Sequence, residues 1–382
     1  MAGYFGDNAF KLGLFGLNCS GGCTLSAAPE RWTADWDDIV DVVRLGDEAG
    51  IEFALPVARW RGLGESYVWE KSFETFTQAA ALGALTKRIG MFVTAHVPLV
   101  SPVMAAKAIA TIDHVTKGRA GLNIVCGWNA DEFAMHGVTM NGDRRYDQGL
   151  EWHTIFMRLI SEAGDFDFDG EFYKLRNLTS NPKPVQKRPP IMSAGSSGPG
   201  QEFAARTADI LFTSMHAYDT TRETIARLKA LAAAQNRAPD IYVQSLFVVR
   251  PTRKEAEEYY YYFAEEHADQ EAVSYFKRQK SATLAKRTME GGTAADRAIL
   301  ASMRESGQKY AGHFPGMHLL LGTPDDIVAE AQRLQSIGLA GGALVMLNYK
   351  NELPYFVQEV LPRMERAGLR APVSATAAAD AG

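Results

Sequence analysis

The sequence contains few cysteines, no excess of basic residues and no long apolar segment. Three cysteines in 382 residues are too few for a disulfide framework, so we expect reduced thiols and a cytoplasmic location. Lysine and arginine total 40 against 45 acidic residues, a net charge of −5, which argues against a nucleic-acid-binding protein. No run approaches the roughly 20 apolar residues of a membrane-spanning helix, and the N terminus lacks a secretory-signal pattern.

The common motifs of nucleophilic and metal catalysis are also missing. There is no G-x-S-x-G and no H-E-x-x-H, and the eight histidines are scattered. Cys19 and Cys23 flank a glycine-rich loop, but no second pair of ligands lies nearby in the sequence, so we expect no metal site. A bound organic cofactor is then the simplest source of reactivity.

Short apolar segments alternate with amphipathic helical stretches along the chain. Eight segments are typical of buried strands and lie near residues 12, 53, 89, 120, 191, 210, 241 and 342. Length alone allows two or three domains. Eight strands in series, each followed by a helix, favour a single closed (β/α)8 TIM barrel over an open sheet.

Three segments depart from the alternation and are expected to be insertions or a tail. Residues 166–176 alternate around Asp-Gly and predict a small hairpin. Residues 255–314 are charged and largely helical, and we expect a helical lid. We therefore predict one domain over residues 1–371 and a disordered tail over residues 372–382.

Functional residues of a barrel lie at the C-terminal ends of its strands. Thr94 and His96 end the third strand, and Asn123 lies inside the fourth. A buried asparagine pairs its amide with a cofactor or with the backbone. Thr94 is otherwise an ordinary strand residue, and His96 is a candidate acid, base or orienting donor. His216 holds a similar position after the sixth strand.

Three further loops carry candidate ligand contacts. Trp128 and Glu132 follow the fourth strand, as a ligand wall or as an acidic helix start. Arg59 follows the second strand beside a tryptophan, which suits an anionic or planar ligand. The loop 194–200 (AGSSGPG) is a candidate phosphate cradle or an ordinary βα turn, and Arg145 and Tyr146 are candidate phosphate contacts.

Several motifs together resemble the bacterial-luciferase-like, reduced-flavin-dependent monooxygenases. They are 117–128 (KGRAGLNIVCGW), 108–114 (AIATIDH), 144–146 (RRY), 193–197 (SAGSS) and 321–328 (LGTPDDIV). The resemblance extends over roughly residues 10–367. The pyrimidine and dimethylsulfone monooxygenase branch looks nearest.

The resemblance implies an FMN site and a place for dioxygen. The flavin contacts it implies are Val57, Ala58, Asn123, Glu132, Arg145, Tyr146 and Ser197. Thr94 and Asn123 match positions that hold dioxygen near the flavin, so with His96 they are the candidate catalytic residues. We expect Trp128, Arg59 and His216 to contact the substrate. Gln244 and Leu246 stand where alkanesulfonate monooxygenases carry Arg and His, which argues against a sulfonate.

The sequence therefore predicts a two-component monooxygenase. FMNH2 from a transient NAD(P)H:flavin reductase would react with O2 to a flavin (hydro)peroxide, and this oxidant would cleave a small polar pyrimidine, amide or organosulfur substrate. We expect a homo-oligomer, a dimer or tetramer, with neither nucleic-acid nor membrane partners. Two alternatives stay open: a deazaflavin-dependent oxidoreductase on the same barrel, and a non-catalytic flavin-binding protein.

Overall fold

The computed structural model of the chain describes residues 6–139, 142–195, 197–289 and 310–373, with the backbone alone over 280–289. Within these ranges, no helix is both long enough and apolar enough to cross a membrane.

Eight parallel strands close into a barrel. In ring order they are β1 (Lys11–Phe15), β2 (Phe53–Leu55), β3 (Gly90–His96), β4 (Ala120–Val125), β7 (Ile191–Ser193), β8 (Ile210–Thr213), β9 (Asp240–Val249) and β11 (Gly341–Val345). Pairing of Lys11 with Gly341 joins β1 to β11 and completes the ring. These are the eight predicted segments, and the predicted TIM barrel is confirmed.

Helices follow most of the strands and surround the barrel. They span Trp36–Glu48, Thr75–Ala84, Pro102–Val115, Ala130–Met135, Arg145–Ser161, Gly198–Thr207, Tyr218–Ala233, Arg253–Tyr261, Gln270–Met289, Pro324–Ser336, Tyr349–Tyr355 and Leu361–Arg366. Several begin with side-chain caps, such as Glu74, which accepts from the N–H groups of Phe76 and Thr77. The caps satisfy backbone donors that have no partner within the helix.

In the described part of the chain, three further strands lie outside the ring. β5 (Phe166–Asp169) and β6 (Lys174–Leu178) pair as an antiparallel hairpin. β10 (His318–Gly322), which the sequence analysis did not predict, runs parallel to the C-terminal half of β9. One edge of β9 pairs with β11, and the N-terminal half of its other edge pairs with β8. β10 therefore extends the barrel wall beyond the C-terminal end of β8.

The segment for which the sequence predicts an insertion lies between β9 and β10. It contains the helix Arg253–Tyr261, a π-helical turn Tyr262–Glu266 and the helix Gln270–Met289. Residues 290–309 of the predicted lid and residues 374–382 of the predicted tail lie outside the described residues.

Aromatic rings fill the interior of the barrel. Phe53 on β2 packs against Phe92 on β3, with ring centroids 5.7 Å apart, and stacks on Tyr242 of β9 at 5.9 Å. Gly13 and Gly121 on the flanking strands make room for these rings. A Cβ atom on Gly121 would lie 2.4 Å from the Phe92 ring. The interior is therefore a packed core, and the space for a ligand lies above it.

We expect Gly121→Ala to lower the free energy of unfolding by about 1–3 kcal/mol, because the added methyl group displaces Phe92 in a close-packed core. Urea unfolding followed by circular dichroism measures the change. Gly164→Ala, at an exposed position with no atom within 4 Å of the new Cβ, is the matched control and should stay within about 0.5 kcal/mol of the parent. Equal stability of the two variants would contradict the packing argument.

Candidate active site

A deep cavity opens at the C-terminal ends of the barrel strands. It encloses about 1110 Å³, its open mouth included. Phe15, Leu55 and Phe212, which belong to the barrel core, form part of its lining. Thr94, His96 and Asn123 contribute polar groups. The cavity thus combines an apolar base with a few polar side chains, as ligand sites commonly do.

Thr94 and Asn123 face each other across β3 and β4. They are register partners, and Asn123 Nδ2 donates to Thr94 Oγ1 at 3.1 Å. Thr94 Oγ1 donates in turn to the carbonyl oxygen of Pro56 at 2.6 Å. Asn123 Oδ1 is buried and has no hydrogen-bond partner among the described residues. The amide oxygen of Asn123 therefore does not pair with the described backbone, and it can accept a hydrogen bond from a ligand.

His96 is a neutral, buried group in the same wall. Its Nδ1 atom finds no partner in the described part of the chain, and its ring lies edge-on to Phe133 at 5.7 Å. Burial, with smaller effects of Arg59 and His136, lowers the pKa of His96 to about 3. The imidazole is uncharged at neutral pH. The sequence allowed His96 to act as an acid, as a base or as an orienting donor. The low pKa favours a neutral orienting group over an imidazolium acid.

Arg59 and Glu132 form a buried ion pair beside the cavity. Arg59 Nη1 lies 3.0 Å from Glu132 Oε2, and the two side chains are 4% and 1% exposed. The other carboxylate oxygen accepts from the backbone N–H of Trp60 at 3.1 Å. Both oxygens of Glu132 therefore already have protein donors. Arg59 lines the cavity. Glu132 is not part of the lining, and it fixes the position of the Arg59 side chain through the ion pair.

Two tryptophan rings lie close to the guanidinium group of Arg59. Its central carbon lies 4.9 Å from the ring centroid of Trp69 and 5.0 Å from that of Trp128. Both rings line the cavity. The sequence analysis selected Trp128 but missed Trp69, whose only sequence signal is an aromatic residue in the loop after β2.

The glycine-rich loop after β7 brings the candidate phosphate contacts together. Ser197 Oγ accepts from Gly200 N at 3.1 Å and lies 3.0 Å from the Tyr146 hydroxyl, to which Arg145 Nη2 donates at 3.3 Å. A Cβ on Gly195 would lie 2.2 Å from the carbonyl oxygen of Gly200, so the turn admits no side chain there. The loop adjoins the cavity through Ala194, which lines it.

The backbone of Val57 and Ala58 is held rigidly at the edge of the cavity. The amide of Asn18 bridges Val57, accepting from its N–H at 2.9 Å and donating to its carbonyl oxygen at 2.8 Å. Val57 and Ala58 both line the cavity. His216 follows β8 and is half-buried, but Thr213 and Ser214 line the cavity in its place. Its substrate contact stays a prediction.

Two aromatic residues of the segment between β9 and β10, Phe276 and Phe314, line the cavity. Phe276 packs edge-on to Trp128 at 5.9 Å, and Phe314 lies 5.8 Å from Trp69. The Tyr275 hydroxyl donates to Asp131 Oδ2 at 2.7 Å, which links the helix Gln270–Met289 to the helix Ala130–Met135. The sequence analysis placed these aromatic residues in a lid without identifying them singly.

The cysteines are buried thiols. Cys23 lines the cavity, and burial raises its pKa to about 12; burial also raises the pKa of Cys19. In the described part of the chain, no group of three histidine, cysteine or acidic side chains is placed to hold a metal ion.

Burial of neutral His96 predicts a loss of stability in acid. The unfolded chain protonates this group near pH 6.5, whereas the fold resists protonation down to about pH 3, so the unfolded state binds more protons between these values. The free energy of unfolding therefore falls as the pH falls. We expect the loss between pH 6.5 and 4.5 to be smaller by about 2 kcal/mol in His96→Gln.

Urea unfolding at a series of pH values measures this difference. His153→Gln is a useful parallel, because burial lowers the pKa of His153 to about 4 and the change should have the same sign. A parent and a His96→Gln variant with the same pH dependence would show that His96 is not held neutral.

Comparison with known proteins places these features in context. The family model of the luciferase-like monooxygenases matches residues 10–341. An FMNH2-dependent dimethylsulfone monooxygenase of Pseudomonas fluorescens is 31% identical, with 97% of this chain and 99% of that protein covered. The pyrimidine monooxygenase RutA of Pantoea ananatis is 28% identical, with 88% and 90% covered.

Solved structures share the same architecture. The EDTA monooxygenase EmoA from Chelativorans sp. BNC1 superimposes with a TM-score of 0.79 at 20% sequence identity, covering 94% of each chain. At this identity the likeness shows the fold alone.

Proposed function

The chain belongs to the luciferase-like monooxygenase family, as its motifs predict, and we propose that it is the FMNH2-dependent oxygenase of a two-component system. A separate NAD(P)H:flavin reductase would supply the reduced FMN, with O2 as co-substrate. The observation that carries the proposal is the Thr94–Asn123 pair, whose buried amide oxygen has no partner among the described residues.

The residues present fit FMN. Ser197 caps the N terminus of the helix Gly198–Thr207, an end of a helix that favours an anion such as a phosphate, and Ser197 and Tyr146 bring hydroxyl groups there. Arg145 contributes a positive charge beside them. Asn123 Oδ1 offers an acceptor to a ring N–H group at the other end. In our proposal Glu132 acts on the flavin site through Arg59 and Trp60.

Reduced FMN, when bound, supplies the two electrons that activate O2. Thr94 and Asn123 hold polar groups of the reactants at fixed positions, a preorganised stabilisation that costs no rearrangement during the reaction. His96 orients a ligand without changing charge. Trp128 and Phe276 exclude water from the reacting atoms.

The substrate we propose is a small polar molecule in which a C–N or C–S bond is cleaved. The two relatives described above act, by their names, on dimethyl sulfone and on pyrimidines. We also propose a homo-oligomer, supported by the exposed apolar Met104 and Val115 on the helix Pro102–Val115, and a cytoplasmic location, supported by the free thiols.

The proposal is tested by mixing the protein and FMNH2 rapidly with oxygenated buffer, with pyrimidines, amides, sulfones and sulfonates as candidate substrates. We expect an oxygen-dependent product with at least one of them. Turnover with a deazaflavin in the absence of oxygen would support the oxidoreductase alternative. Flavin binding with no product from any candidate would support the non-catalytic one.

Asn123→Ala should abolish product formation, because the variant loses the free acceptor and leaves Thr94 Oγ1 without its donor. Product is measured per FMNH2 supplied, and flavin binding is measured separately by fluorescence titration. Asn351→Ala, at an exposed helical position, is the matched control and should keep full activity. Undiminished turnover by Asn123→Ala would remove Asn123 from the catalytic residues.

Phe276→Ala should let water into the cavity and raise the share of FMNH2 that yields hydrogen peroxide in place of product. A peroxide assay alongside product analysis measures this share. Lys254→Ala, at a position 84% exposed on the same insertion, should leave the share unchanged. An unchanged peroxide yield in Phe276→Ala would argue that the insertion does not seal the site.

A further inference from the structure

The charge of the cavity comes from one residue. Among the described side chains that line it, Arg59 alone carries a full charge at neutral pH, since His96 is neutral there. The remaining polar lining is uncharged and includes Thr94, Asn123, Thr213, Ser214 and Gln244. The ability of the cavity to attract an anion therefore depends on how far the charge of Arg59 is already compensated.

Glu132 compensates that charge at contact distance. The carboxylate is 1% exposed and lies 3.0 Å from Arg59 Nη1, so the pair contributes almost no net charge to the cavity. Arg59 also borders an adjoining cavity whose lining contains Glu70 and Glu74. In the lining of that adjoining cavity the described acidic side chains outnumber the one described cation, which does not favour a second anion there.

The charge of Arg59 is paired with Glu132, but not all of its N–H groups have hydrogen-bond acceptors in the described part of the chain. The central carbon of the guanidinium group lies 4.9 Å from the ring centroid of Trp69 and 5.0 Å from that of Trp128, so aromatic rings limit the directions from which a ligand can reach it. Nη1 donates to Glu132, whereas the buried Nε has no partner among the described residues. Arg59 is therefore a rigid donor whose positive charge is already neutralised.

Resting on the proposed function, we propose that the Arg59–Glu132 pair selects neutral substrates that carry a sulfonyl or carbonyl oxygen and rejects anions. A neutral acceptor gains a hydrogen bond from the guanidinium edge without disturbing the ion pair. An anion must give up its hydration for a site in which the one cation of the described lining is already paired, and that loss of hydration is not compensated. Glu132 is in this respect a specificity-determining residue that acts through Arg59.

The proposal is tested with probes matched in shape and different in charge. Dimethyl sulfone and methanesulfonate share a tetrahedral sulfonyl group, and acetamide and acetate share a planar one-carbonyl frame. Binding to the full chain with oxidised FMN, which does not turn over, is followed by tryptophan fluorescence, since Trp69 and Trp128 flank Arg59. We expect each neutral probe to bind at least about tenfold more tightly than its anion.

Glu132→Gln should shift this preference toward the anions by about tenfold or more, because it leaves the charge of Arg59 uncompensated. Glu162→Gln removes the same charge from a surface pair with Arg158 and should keep the parent preference. Should Glu132→Gln fail to fold, Gln244→Arg adds an unpaired cation to the cavity lining and should produce the same shift.

Tighter binding of methanesulfonate than of dimethyl sulfone by the parent chain would overturn the proposal. So would an unchanged preference in folded Glu132→Gln or, where that variant does not fold, in Gln244→Arg. These are binding measurements without turnover, so they are independent of the oxygenase reaction. A chain that shows the expected preference but yields no oxygen-dependent product would contradict the proposed function and leave the charge selection intact.

Discussion

The packed interior of the barrel is the constraint on which the rest of the structure depends. Inside the barrel, the ring of Phe53 packs against the rings of Phe92 and Tyr242. Glycines on β1 and β4 leave the space that these rings occupy. Because the interior is solid, a ligand has space only where the strands end. The same core, through Phe15, Leu55 and Phe212, also forms part of the cavity lining. Fold stability and the shape of the site are therefore properties of one set of contacts.

Two kinds of contact build the site above that core. Strand register makes Thr94 and Asn123 neighbours, since parallel strands in a closed ring leave little freedom to slip. The Arg59–Glu132 pair joins residues 73 positions apart in the sequence, one in the loop after β2 and the other in the helix Ala130–Met135. The register sets where the acceptor oxygen lies, and the ion pair sets the electrostatic character of the space in front of it.

The sequence predicts most of the barrel and only part of the site. The eight ring strands are readable because strands buried on both faces are continuous apolar runs. β10 was missed although Leu319, Leu320 and Leu321 form a short apolar run, because this run follows the long insertion and not the regular alternation of strand and helix. Strand-end position and buried polarity pointed to Thr94, His96 and Asn123. The sequence does not indicate that both oxygens of Glu132 have protein donors, because that depends on how the loop after β2 packs against the helix Ala130–Met135.

The burial of Cys23 affects how readily its thiol is oxidised. Its sulfur lies in the wall of a cavity where, on the function proposed, oxygen is activated with every cycle. Thiols are oxidised chiefly as thiolates, and burial raises the pKa of Cys23 to about 12, so almost none of it is ionised at neutral pH. The apolar surroundings that shape the cavity thus also protect its one sulfur nucleophile from the chemistry beside it. Burial therefore slows the oxidation of Cys23.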